Sequence, residues 1–170
     1  MTRGDDLPRA NAGLSVLDTE NRQDLSTIAW PNATAPGLEL SINRAWPGLC
    51  VVELAGELDA LTCTLLMDCV REQLAAAPVS MVIDLDAVTF LGSAGLAALV
   101  QCSQWLAAAV PGARLQLSGT THRVVYRPLR LLGLLALFDV HSTSADALAQ
   151  HARDAGVSDH FGMYHGSPTM

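Results

Sequence analysis

The stretch SMVIDLDAVTFLGSAGLAAL, residues 80–99, decides how this chain is read. Its first part, Ser80–Val88, is apolar and rich in strand formers, as expected for an interior strand covered on both faces. Its second part sets one hydroxyl, Ser93, between Gly92 and Gly95 and then launches an apolar run. Beyond Ser93, the residues Leu96, Leu99, Val100, Leu106, Ala107 and Val110 fall on one helical stripe. A strand that turns tightly into a helix is the building unit of an α/β sheet. Ser93 stands at the turn. Serine caps helices well there, because its oxygen accepts a hydrogen bond from a free first-turn amide.

The same alternation extends in both directions. LELSIN (Leu38–Asn43) alternates apolar and polar residues, the period of a half-buried strand. RAWPG (Arg44–Gly48) reads as a turn, and LCVVELAG (Leu49–Gly56) as the second strand of a hairpin. In the segment that follows, Leu66, Cys69, Val70 and Leu74 share a helical face, and Pro78 lies just past the helix end. Downstream come a short strand in PGARLQLSG and a helix in THRVVYRPLRLLGL that Gly133 stops. A last short strand in LFDVH precedes a helix capped by Ser144. The order is ββαβαβαβα, which predicts an α/β fold with a mixed β-sheet flanked by helices. The organised part spans residues 37–152. Residues 1–36 read as a flexible extension and residues 153–170 as a flexible tail, since neither shows a clear period.

Composition narrows the function classes. The 170 residues carry a formal net charge of −7, a poor match for nucleic acid phosphates or an anionic membrane surface. The expected partners are proteins or small molecules. The N-terminus lacks the apolar core of a signal peptide, and LLGLLALF (Leu131–Phe138) is too short to cross a bilayer, so a cytoplasmic protein is expected. Cys50, Cys63, Cys69 and Cys102 form no CxxC pair and read as reduced core thiols. His151, His160 and His165 lack ligand spacing, and no metal or other cofactor is expected. Arg123, Arg127 and Arg130 recur at helical spacing as a solvated face.

Ser93 admits three readings from its surroundings. It caps the helix; it is a nucleophile; or it is phosphorylated. Hydrolase elbows read G-x-S-x-G, but Leu91 occupies the first glycine position here. The base would have to be His122 or His141, which nothing in the sequence places near Ser93. No catalytic residue is therefore assigned. A phosphate at a helix N-terminus is favoured by free amides and the helix dipole, and its charge can switch a binding face without refolding.

Three segments resemble the STAS domain, and in particular the bacterial anti-sigma-factor antagonists. They are LAGELDALTC (Leu54–Cys63), VIDLDAVTFLGSAGLAAL (Val82–Leu99) and LLGLLALFDVHSTSADAL (Leu131–Leu148). In that family the loop reads D-S-[ST]-G-[LI]. Its first Ser is phosphorylated by a partner that is both anti-sigma factor and serine kinase, and the unphosphorylated protein binds that partner and frees a sigma factor. The resemblance implies phosphorylation at Ser93. It implies partner binding through Asp59, Gly92, Ser93, Ala94, Gly95 and Leu96. Two positions depart from the family pattern: Gly92 stands in place of Asp, and Ala94 in place of Ser or Thr. These departures keep open a second expectation, a STAS-like module that senses a ligand or acts as a scaffold without being phosphorylated.

Overall fold

A computed structural model of the chain describes residues 28–154 apart from positions 47, 77 and 79. The expected C-terminal tail, with His160 and His165, and most of the expected N-terminal extension lie outside the described residues. Leu38, Leu40 and Ile42 enter the core, while Glu39 is exposed and Ser41 and Asn43 are half-buried on the other side of the strand. They belong to β2 (Leu38–Trp46), which pairs antiparallel with β3 (Leu49–Leu58) in the register Leu40↔Leu54 and Ile42↔Val52. The hairpin is thus as expected.

Parallel pairing follows. β3 pairs with β4 (Ser80–Leu91), β4 with β5 (Gln116–Ser118), and β5 with β6 (Asp139–Val140). Helices α1 (Cys63–Ala75), α2 (Ser93–Ala109) and α3 (Arg123–Leu131) connect these strands, and α4 (Ser144–Asp154) closes the series. Sheet order advances one strand at a time, so crossovers of one hand put their helices on one face. Accordingly Leu66, Cys69, Leu99, Leu106, Val125 and Leu129 share the main core with Val52, Ile83 and Leu117. On the opposite face Ala147 of α4 packs with Leu49, Val51 and Val82. β4 is covered on both faces, as its composition predicts.

Two expectations need correction here. A strand, β1 (Ile28–Ala35), precedes the hairpin and pairs antiparallel with β2, so the order is βββαβαβαβα and the sheet has six strands among the described residues. The boundary at residue 36 therefore falls after an ordered strand. Pro31 breaks the apolar alternation that would have signalled it; proline has no N–H to give a ladder and is tolerated only at an edge or irregularity. β1 is an edge strand, and its register shifts between Ala29 and Thr34. The second correction concerns α4. Thr143, not Ser144, caps it: Asp146 N donates to Thr143 Oγ1 at 3.2 Å, and Thr143 N donates back to Asp146 Oδ2 at 3.1 Å.

Cys50, Cys69 and Cys102 are buried free thiols of the main core, and burial pushes them up to about 11, 12 and 12. Cys63, at the start of α1, is only half-buried. Among the described residues, no helix is long and apolar enough to cross a membrane.

Candidate functional site

The end of β3 is the floor of the site. Leu58 and Leu91 are register partners in the parallel ladder, so the residues that follow them, Asp59 and Gly92, emerge side by side. Gly92 N donates to the Leu58 carbonyl at 2.9 Å. Gly95 lies over the same residue: a Cβ there would overlap the Leu58 carbonyl oxygen and come within 2.8 Å of Leu58 Cγ. Glycine is required for this approach of α2 to the strand end.

Asp59 starts a tight turn into α1. Its Oδ1 accepts from Leu61 N at 2.9 Å and from Thr62 N at 3.2 Å. Thr62, buried beneath, accepts from Asp59 N at 2.9 Å and donates its single hydroxyl proton to the Glu57 carbonyl at 2.7 Å. The carboxylate of Asp59 is therefore a staple of its own loop, and the loop holds Leu61 outward at 83% exposure.

α2 begins differently from what the sequence suggests. Gly92 is its N-cap, with φ −84° and ψ 172°, and Ser93 is the first helical residue. No side-chain cap bond is present, so Ser93 does not cap the helix. A residue already inside the first turn points its side chain away from the amides that an N-cap oxygen reaches. Ser93 is exposed instead, above a helix start whose first turn holds no acidic residue. Unsatisfied first-turn amides and the helix dipole favour an added anion there.

Of the other residues the resemblance pointed to, Gly92 and Ala94 are half-buried at the surface, whereas Gly95 and Leu96 are buried under it. The two histidines of the nucleophile reading go elsewhere. His122 Nε2 meets Asp86 Oδ1 at 2.9 Å, and His141 Nε2 is buried. Neither hydrogen-bonds to Ser93 among the described residues.

One flanking residue was not legible beforehand. β4 carries an extra residue, Thr89, between the pairs Gly56↔Val88 and Glu57↔Phe90. Regular alternation after the inward Val88 would bury Phe90; the bulge gives that place to Leu91 and leaves Phe90 50% exposed. Its ring edge lies over Gly92, where Cε1 would be 3.2 Å from a Cβ.

Comparison with known proteins agrees with this architecture. The profile of the STAS domain matches residues 43–147. The anti-sigma-F factor antagonist RsfB of Mycobacterium tuberculosis, in strains CDC 1551 and H37Rv alike, is 37% identical over 101 residues, 59% of this chain and 80% of that protein. The crystal structure of an anti-sigma factor antagonist from Mycobacterium paratuberculosis superposes with a TM-score of 0.59 at 31% identity, covering 69% of this chain and 97% of that one. The Bacillus cell fate determinant SpoIIAA in its phosphorylated form shares the fold, with a TM-score of 0.53 at 15% identity over 66% of this chain and 98% of its own. A parallel ladder that delivers Asp59 and Gly92 to one edge, and a family profile spanning most of the described residues, lead to one conclusion: the chain belongs to the STAS domain family.

Proposed function

We propose that this protein is an anti-sigma-factor antagonist: it binds a kinase-type anti-sigma factor through the surface around Ser93 and so frees a sigma factor. The observation that carries the proposal is the 37% identity over 101 residues to an anti-sigma-F factor antagonist, beside a STAS profile whose match, residues 43–147, includes the whole site. The exposed Ser93 hydroxyl at the start of α2 supports phosphorylation as the switch. Asp59, Gly92 and Ala94 form its immediate surface, and Gly95 and Leu96 hold the helix start in place from below. The protein works as a binding module and not as a catalyst, in the cytoplasm. A phosphate on Ser93 would place a hydrated dianion in the middle of the contact, which a partner would have to desolvate.

The test is direct. The purified chain is mixed with each kinase-type anti-sigma factor encoded in the same genome, with and without ATP. A micromolar complex without ATP, and phosphate on the Ser93 peptide by mass spectrometry with ATP, are the expected results. No complex with any of them sinks the proposal. The absence of an acid at Gly92 favours one second reading, a scaffold that binds without being phosphorylated. A stable complex whose Ser93 stays unmodified would select it.

A further inference from the structure

We infer that the partner docks on an apolar pair, Leu61 and Phe90, that flanks Ser93, and meets it with an apolar pocket rimmed by lysine or arginine. This rests on the antagonist reading above and adds the chemistry by which the partner is recognised.

Three observations carry it. First, both side chains are held outward by specific backbone devices. The Asp59 carboxylate binds the amides of Leu61 and Thr62 and so fixes the turn that projects Leu61, which is 83% exposed. The Thr89 bulge turns Phe90 out of the core to 50% exposure. Apolar side chains held outward beside the proposed switch suit a docking contact, and aromatic residues are enriched at the centre of such contacts.

Second, the pair sits against the proposed switch. The Phe90 ring edge lies over Gly92, and Asp59, from which the Leu61 turn hangs, packs against the same glycine with its Cβ 3.6 Å from where a Gly92 Cβ would be. The missing side chain at position 92 is what lets the ring lie on the backbone. An aspartate there would push a carboxylate into this apolar contact.

Third, the charges nearest the pair are acidic. Glu57 and Asp59 lie beside it at the end of β3, and the segments that carry the pair, residues 54–63 and 87–99, contain no lysine or arginine. Glu57 is exposed and is the register partner of Phe90. A complementary surface therefore offers cations around its apolar pocket.

The experiment takes the anti-sigma factor that the wild-type chain binds and measures Kd by calorimetry for Leu61→Ala, Phe90→Ala and Leu132→Ala. Leu132 is an exposed leucine at the far end of α3 and serves as the control. Leu61→Ala and Phe90→Ala should each weaken binding tenfold or more, and Leu132→Ala should stay within twofold. Unchanged circular dichroism and melting show that the variants are folded; Leu61→Gln and Phe90→Gln repeat the measurement should an alanine variant melt early. Raising NaCl from about 50 to about 500 mM should weaken the wild-type complex, since salt screens a cationic rim. Binding by Leu61→Ala and Phe90→Ala within twofold of wild type overturns the inference while the antagonist reading stands. A salt-independent Kd overturns its cationic half. Failure of the wild-type chain to bind any anti-sigma factor overturns both. A dimer of this chain alone that Leu61→Ala dissociates overturns it in favour of self-association.

Discussion

Gly95 rests directly on the carbonyl group of Leu58. The contact joins the first turn of α2 to the last residue of β3, and with it the Ser93 surface to the Asp59 turn. A Cβ at position 95 would overlap backbone, which cannot swing away as a side chain does. Gly95→Ala should therefore lower stability by about 1–3 kcal/mol, the usual cost of overpacking. It should also weaken partner binding, because the helix start has to move. Urea denaturation gives the first quantity, and an unchanged midpoint would show that the contact is looser than described.

Ser93→Ala separates a capping role from a surface role. The hydroxyl makes no cap bond, so the variant should stay within about 0.5 kcal/mol of wild type, as surface substitutions do. A true N-cap would lose about 1 kcal/mol. Chemical denaturation at matched protein concentration distinguishes the two outcomes.

Gly92→Asp restores the family residue. The backbone at Gly92, φ −84° and ψ 172°, is open to any amino acid, and the nearest obstacle is the edge of the half-exposed Phe90 ring. Aspartate is a better N-cap than glycine by a few tenths of a kcal/mol. The melting midpoint should stay level or rise slightly. A clear fall would mean that the Phe90 ring cannot yield.

The core thiols predict a pH dependence. Burial raises Cys50 from 9.0 to about 11, and Cys69 and Cys102 from 9.0 to about 12. The folded state thus holds these protons more tightly than the unfolded state does. Their contribution to stability is intact below pH 9.0 and is lost as pH rises from there through the folded values. Urea midpoints should be flat in this respect from neutral pH to about 8.5 and fall above about 9.5. A thiol reagent at neutral pH should label Cys63 first, and the other three only after unfolding. Rapid labelling of all four in the native protein would contradict the burial.

Much of the molecule is legible in the sequence because it is written in local periods. Alternation in LELSIN marks β2, the unbroken apolar character of Ser80–Val88 marks a strand buried on both faces, and the Leu96–Leu99–Leu106 stripe marks α2. Glycines and a serine at the junction place a strand-to-helix turn there, and three ordered segments identify the family. What the sequence could not reveal depends on contacts between distant residues. β1 became visible only through its pairing with β2, because Pro31 interrupts its own pattern. Ser93 became an exposed first-turn residue, not a cap, because the Gly92 amide is tied to Leu58 and that bond sets where the helix starts. Asp59 spends its carboxylate on its own turn, and one extra residue in β4 decides that Phe90 faces solvent while Leu91 enters the core. Periodicity along a chain reports which elements form; the register between chain segments, set by hydrogen bonds across the sheet, decides which side chains of those elements a partner can touch.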